Sequence, residues 1–101
     1  MEKNIFEKFL FDKGIDLSKE GTSGYLLSYD NTLEAINILE RLQIPILGGD
    51  VFVKENDKYR LTHDNWSIES SNNVNSFLKS REYISLFADK KNISYFMIVT
   101  K

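Results

Sequence analysis

Cysteine is absent from this sequence of 101 residues, which contains only one histidine and one proline. Without cysteine there is no disulfide framework, no thiol nucleophile and no cysteine-based metal site, and one histidine leaves little for a histidine-rich site. We therefore expect no metal and no other cofactor. Met1 is followed by polar residues and the chain has no long apolar run, so the sequence predicts neither a secretory signal nor a membrane span. A cytoplasmic protein with no membrane partner is expected.

Clustered positive charge is also missing. The chain has 13 Lys and Arg against 15 Asp and Glu, for a net charge of −2. Because proteins neutralise nucleic-acid phosphates with clustered Lys and Arg, we do not expect a nucleic-acid partner. The acidic residues are more frequent in the N-terminal part, which includes Glu20, and could attract a basic protein surface. Scattered acidic residues of this kind also occur on ordinary solvated faces.

Large aromatic side chains are what the chain has in quantity. Seven Phe, five Tyr and one Trp supply enough apolar surface for a true hydrophobic core, since each buried aromatic removes about 150–250 Å² from water. The length allows one compact domain and no second one. We therefore expect residues 1–101 to form a single domain.

Two helices are predicted in the first half of the chain. Apolar residues of the segment 5–10 fall on one helical stripe, and Gly14 is a suitable residue to end that helix. Asp30 and Asn31 are good N-caps for a second helix, whose apolar residues follow at helical spacing. Pro45 is expected to stop it, because proline has no backbone N–H to donate.

A third helix is predicted after residue 73, and its stripe contains one charged residue. The apolar residues of the stripe are Val74, Phe77, Leu78, Ile84, Phe87 and Ala88. Arg81 falls among them, and a guanidinium is buried only when it is paired. We expect Arg81 either to form a salt bridge or stack with Asp50, Asp64 or Trp66, or to run its stem along the apolar surface to the rim.

The remaining segments predict a small sheet. Residues 15–29 look like a long surface connection with a short extended piece at Tyr25–Ser28. The segments 51–53 and 59–63, with a polar turn between them, predict a β-hairpin. Residues 93–100 are apolar at both alternating sets of positions, which is typical of a central strand. The fold class is therefore α+β, with a small sheet, made of the hairpin plus the C-terminal central strand, covered by about three helices.

Gly48-Gly49-Asp50 is the most distinctive local feature. It is predicted to lie between the end of the second helix and the first hairpin strand, where glycine allows a sharp turn with positive φ. In one interpretation Asp50 caps a backbone amide within a tight connection. In the other it is an oriented carboxylate that meets a cation of a partner. The spacing leaves both open.

A catalytic interpretation is available but weakly supported. A small hydrolase would use Asp50 or Asp64 together with His63 as an acid–base set. However, His63 and Asp64 are neighbours in a predicted strand and so point to opposite faces. A solvated or hydrogen-bonded His63 is favoured.

Several motifs together resemble a known family. They are Ile44-Pro45-Ile46-Leu47, Gly48-Gly49-Asp50-Val51-Phe52, Tyr59, Asn65-Trp66, Phe77, Ser80 and Tyr95-Phe96. Over roughly residues 25–100 the chain resembles the predicted immunity proteins of bacterial polymorphic toxin systems numbered family forty. This resemblance implies an α+β protein that binds and neutralises a cognate toxin and has no catalytic activity of its own.

For such a protein we expect the toxin to contact exposed loops and aromatic residues. We place this contact on the loop 18–29, which contains Glu20 and Tyr25, and around Asp50 and Trp66. Trp66 has a competing interpretation as a core residue at the end of a strand. Gly48, Gly49 and Arg81 are assigned structural roles. The alternatives to an immunity protein are the small hydrolase and a regulatory interaction domain whose partner is unknown.

Overall fold

The computed structural model describes residues 2–18, 24–68 and 73–101. Within these ranges the helices are α1 (Glu2–Lys13), α2 (Tyr29–Leu42) and α3 (Asn73–Ser85), and the strands are β1 (Ile15–Asp16), β2 (Tyr25–Ser28), β3 (Ile46–Glu55), β4 (Lys58–Ser67) and β5 (Ser94–Thr100). The strands pair antiparallel in the order β1-β2-β5-β3-β4. The predicted α+β class, with about three helices and β5 in the centre of the sheet, is confirmed.

The sheet has two distinct faces, because successive residues of a strand point to opposite sides. Phe96 of β5 lies between Leu27 of β2 and Val51 of β3, and all three are buried in one cluster with α2 and α3. We call this side the helix-covered face. The opposite side, which we call the open face, carries Asp50, Phe52, Tyr59, Leu61, Asn65, Tyr95, Met97 and Val99.

Helix α2 begins earlier than its sequence suggests. Its N-cap is Ser28, whose hydroxyl oxygen accepts the backbone N–H of Asn31 at 3.3 Å, so the expected caps at Asp30 and Asn31 are wrong by two or three residues. The helix ends at Leu42, and Gln43 takes a left-handed conformation with φ of 58°. Pro45 therefore follows a helix that has already ended.

The segment after α1 is more deeply buried than a surface connection. The predicted end of α1 is confirmed, since Gly14 donates its N–H to the carbonyl of Leu10 at 2.7 Å. The extended piece at Tyr25–Ser28 is also confirmed as β2. However, Leu17 is 3% exposed and Leu26 is fully buried. They pack with Phe52 into a second apolar cluster on the open face, so the expected surface connection is wrong at these positions.

Helix α3 packs with one side on the sheet. Phe77 and Ile84 of the predicted stripe are buried, but Leu78 is 54% exposed. The buried side of α3 also carries the hydroxyls of Ser76 and Ser80. Ser76 accepts the backbone N–H of Ile46 at 3.3 Å, so a small polar residue lets the helix hydrogen-bond directly to β3.

The predicted hairpin is confirmed and is longer than expected. Strands β3 and β4 have 10 residues each, and the two turn residues Asn56 and Asp57 both have positive φ. Two positive φ values are typical of the type I′ turn, whose twist matches that of the flanking strands. Among the described residues, no helix is both long enough and apolar enough to cross a membrane.

Candidate partner-binding site

Gly48-Gly49-Asp50 lies inside β3 and not in a turn before it, so the predicted turn is wrong. Positive φ does occur, at 148° for Gly48, but it serves a β-bulge. Ile46 pairs with Thr100 and Gly48 with Val99, which leaves Leu47 as the extra residue. A bulge of this kind locally bends a strand and redirects its side chains.

Gly49 makes room for the indole of Trp66, its directly paired neighbour on β4. A Cβ atom on Gly49 would collide with the indole ring and would lie 2.6 Å from the carbonyl oxygen of Met97. The indole N–H donates to the hydroxyl of Ser80 at 3.1 Å, and the ring of Tyr83 stacks on the indole at 5.0 Å. These contacts support the structural role assigned to Gly49.

Trp66 itself is 8% exposed and belongs to the core cluster of the helix-covered face. Of the two interpretations drawn from the sequence, its position agrees with the core residue. Its contact with a partner stays a prediction, and in this conformation little of the indole is available for one. The Trp66 indole instead fixes α3 against β4 through Ser80 and Tyr83.

Asp50 lies on the open face, between Asn65 of β4 and Met97 of β5. Its side chain is half-buried. Asn65 directs its amide nitrogen to the carbonyl oxygen of His63 at 3.4 Å and not to Asp50. No hydrogen bond or ion pair links the Asp50 carboxylate to another residue within the ranges 2–18, 24–68 and 73–101.

A shallow concavity of about 220 Å³ borders Asp50. Its lining residues are Leu47, Gly48, Gly49, Asp50, Asn65, Trp66, Ser67 and Val99. Leu47 and Val99 are 43% and 45% exposed, so two apolar side chains lie at the concavity beside the polar Asp50, Asn65 and Ser67. Gly48 and Gly49 also line the concavity and add no side chain to it.

Leu17, immediately before the predicted contact loop 18–29, and Gly24, within that loop, both lie at the open face. Leu17 packs against Phe52, and Gly24 lies beside the Met97 side chain, which is on the strand position paired with Asp50. The backbone N–H of Leu17 also donates to the carbonyl of Gly24 at 3.2 Å. Glu20 lies outside the described residues.

Tyr25 does not join Asp50. It is one residue away from Leu26 of the open face and so points to the other side of β2, where it borders Gly14 at the end of α1. The structure thus separates the sequence-predicted contact residues. Asp50 is on the open face, and Tyr25 and Trp66 are on the helix-covered side.

The residues of the hydrolase hypothesis are also separated. The residues Thr62, His63 and Asp64 form an irregular three-residue bulge of β4 opposite Val51, and the Thr62 hydroxyl donates to the Val51 carbonyl at 2.8 Å. Asp64 borders a concavity of about 190 Å³ beside Phe87, whereas Asp50 borders the other one. His63 lines neither of these two hollows.

Asp64 is electrostatically linked to the helix side of the sheet. Burial, with a smaller contribution from the Asp64 carboxylate, raises the pKa of Tyr83 above its ordinary value. Tyr83 stacks on Trp66 of the helix-covered face, and Asp64 borders the concavity beside Phe87, whereas the strand register puts Asp50 on the open face.

Arg81 is paired, but not with any of the expected residues. Its guanidinium donates to the Glu40 carboxylate at 2.5 Å and to the Asn37 side-chain oxygen at 2.7 Å. Both partners are on α2, so the expected pairing with Asp50, Asp64 or Trp66 is wrong. The sequence could not indicate this partner because it depends on how α2 and α3 pack. The structural role of Arg81 is to link these two helices at their surface.

Within the described residues, no group of three or more His, Asp or Glu residues could hold a metal ion. The fold and the geometry around Asp50 define an α+β domain with one sheet face under helices and the other partly open. A family model described as Immunity protein 40 matches residues 16–100. The chain belongs to this family, which confirms the resemblance seen in the sequence. No curated protein matches the chain significantly.

Proposed function

We propose that this chain is a non-catalytic immunity protein, which binds a cognate bacterial polymorphic toxin in the cytoplasm and neutralises it. The observation that carries the proposal is the family match over residues 16–100. An immunity protein must recognise one partner tightly, and it needs no catalytic residues to do so.

The placement of the titratable residues supports a binding role over a hydrolase. A carboxylate and a histidine must converge in one concave site to act as acid and base. Asp50 and Asp64 border different concavities, and His63 lines neither of them. The open face offers instead a carboxylate beside exposed apolar side chains, which suits protein recognition.

Co-expression with a toxin tests the proposal. The probe is the C-terminal toxin domain encoded beside the gene for this chain, placed under an inducible promoter in a sensitive bacterial host. We expect the chain to restore colony formation by several orders of magnitude and the two purified proteins to form a complex. An unrelated immunity protein serves as the negative control. Failure to protect cells, or to bind the toxin domain, would overturn the proposed function for this pair.

A regulatory interaction domain remains the second function derived from the sequence. The same experiment distinguishes it from an immunity protein. A regulatory domain would bind its partner without restoring growth in the presence of the toxin domain. An immunity protein requires both protection and binding.

A further inference from the structure

We propose that the toxin docks on the β5–β3–β4 half of the open face and presents an Arg or Lys side chain to the carboxylate of Asp50. This inference rests on the proposed function and specifies its contact surface. The surface comprises Asp50, Leu61, Asn65 and Val99, together with the concavity that borders Leu47.

The charge on this surface favours a cationic side chain of the toxin. Asp50 has no ion-pair or hydrogen-bond partner among the described residues, although it is half-buried. Its paired neighbours Asn65 and Met97 are uncharged. The other charged residue on this face of β3 is Lys54, which is four residues away and lies 5.9 Å from the centroid of the Tyr59 ring. A half-buried carboxylate without a cation is complementary to a cationic side chain, and the pair gains strength when docking excludes water.

The apolar residues around Asp50 carry the second argument. Leu61 is 56% exposed and Val99 is 45% exposed, and both are on the open face. Val99 is two residues from Met97, which pairs with Asp50, and Leu61 pairs with Phe52, which is two residues from Asp50 along β3. Interface hot spots are typically surrounded by contacts that contribute little energy but exclude water, and Leu61 and Val99 form part of such an apolar rim beside Asp50. Leu47 extends this apolar rim across the bulge.

The dimensions of the face set how much more of the molecule the toxin has to cover. Strands β3 and β4 have 10 residues each, or about 33 Å at 3.3 Å per residue. Adjacent strands are about 4.8 Å apart, so the β5–β3–β4 half of the sheet together with its edges is about 15 Å wide. A strip of these dimensions covers about 500 Å², so a standard interface of about 800 Å² from each partner would also have to include the edge of β4 and the end of the loop at Gly24.

The helix layer offers a competing surface, because Leu78 and Leu86 on the α3 side are 54% and 74% exposed. The charges there are already paired in part, since Arg81 binds Glu40 across the two helices. Among the side chains that the structure describes, the helix layer therefore lacks the combination found at Asp50, a half-buried carboxylate without a cation beside exposed apolar residues. This difference favours the open face.

Matched substitutions separate the two surfaces. On the open face, Asp50→Asn removes the charge at nearly constant shape, and Leu61→Ser removes an exposed apolar side chain. On the helix layer, Glu34→Gln and Leu78→Ser make the same chemical changes at exposed positions. Binding of each variant to the inactivated neighbouring toxin domain is measured by calorimetry. Circular dichroism and the melting temperature establish that each variant is folded.

We expect Asp50→Asn and Leu61→Ser to raise Kd at least about tenfold, and the helix-layer variants to change it less than about twofold. The Kd of Asp50→Asn should also depend less on salt than that of the unmodified chain, since the charge contact is gone. If the unmodified chain binds and the open-face variants bind equally well, the docking face is wrong while the proposed function stands. Loss of binding in the Leu78→Ser variant alone would assign docking to the helix layer. If the unmodified chain does not bind, the proposed function fails first and the docking face with it.

Discussion

Tyr83 packs against two aromatic rings and is also affected by a nearby carboxylate. Its ring lies between the indole of Trp66 and the ring of Phe87, at 5.0 and 5.5 Å between centroids. Burial first, and the Asp64 carboxylate second, raise the pKa of its phenol. Both effects act in the same direction because each disfavours the phenolate form.

The raised pKa of Tyr83 predicts a loss of stability at alkaline pH. The phenol is neutral in the folded and unfolded states below the unfolded pKa of about 10, so its contribution to stability is fully present there. Above that pH the unfolded chain ionises first, and the contribution is lost as pH rises through the folded pKa. We expect the free energy of unfolding, measured with urea between pH 8 and 11, to fall less steeply in Tyr83→Phe than in the unmodified chain.

Asp64→Asn provides the companion variant for this measurement. This variant keeps the phenol but removes the neighbouring charge. Its loss of unfolding free energy at alkaline pH should therefore lie between those of the unmodified chain and Tyr83→Phe. Ionisation of tyrosine is followed in parallel by absorbance at 295 nm. An unchanged pH profile in Tyr83→Phe would show that another group causes the alkaline loss.

At the scale of the elements, the pairing of β3 with β4 depends on Gly49. Strand β4 brings Trp66 directly opposite Gly49, and the indole lies where a side chain on Gly49 would be. The same indole reaches Ser80 of α3. One glycine therefore allows a strand pair and a helix to share a single large aromatic side chain.

Gly49→Ala is expected to destabilise the fold by about 2–3 kcal/mol, the upper part of the usual range for overpacking. The added Cβ would collide with the indole and would lie 2.6 Å from the Met97 carbonyl oxygen, which is backbone and cannot rotate away. Urea unfolding measures the change, with Ser67→Ala on an exposed position of β4 as the control. In the Trp66→Leu background, Gly49→Ala should lower the free energy of unfolding by less, because the indole ring that collides with the added Cβ is gone. An equal loss of stability in both backgrounds would contradict the close contact between Gly49 and the Trp66 indole.

The elements also show which parts of the fold the sequence could predict. Local sequence patterns were sufficient to predict β5, which is apolar at both alternating sets of positions, and the hairpin turn that contains Asn56 and Asp57. The turn predicted at Gly48-Gly49 is wrong because glycines commonly mark turns, whereas here they allow a bulge and a close approach of Trp66. That approach comes from a residue 17 positions further along the chain, so no local pattern contains it.

The candidate site was predictable only in part, for the same physical reason. The sequence predicts Asp50 because a carboxylate next to two glycines is conspicuous, and its contact with a partner stays a prediction. The absence of an ion-pair or hydrogen-bond partner for Asp50 among the described residues, and the positions of Tyr25 and Trp66 on the other side of the sheet, depend on strand register, and a shift of one residue reverses the face. The pairing of Arg81 with Glu40 likewise follows from helix packing and not from the spacing within α3.

At the scale of the whole molecule, the two apolar clusters share a sheet. The cluster under the helices includes Val51 and Phe96, and the cluster on the open face includes Phe52 and, at its edge, Tyr95. Because these residues alternate along β3 and β5, each strand contributes side chains to both clusters. Separating either strand from one cluster would therefore disrupt the second cluster as well. This arrangement supports the expectation that residues 1–101 are a single domain.

We therefore expect the chain to unfold in one cooperative step. Trp66, the single tryptophan, reports the helix-covered face by fluorescence, and hydrogen exchange of the β2 and β5 amides reports the sheet beneath the open-face cluster. In urea the fluorescence and far-ultraviolet circular dichroism transitions should coincide, and the slowest amides of both strands should exchange with the global free energy of unfolding. Loss of protection in β2 and β5 at lower urea than the fluorescence transition would mean that the open face unfolds on its own. Docking of a toxin on that face would then stabilise a local unit, whereas in one cooperative domain it raises the stability of the whole chain by mass action.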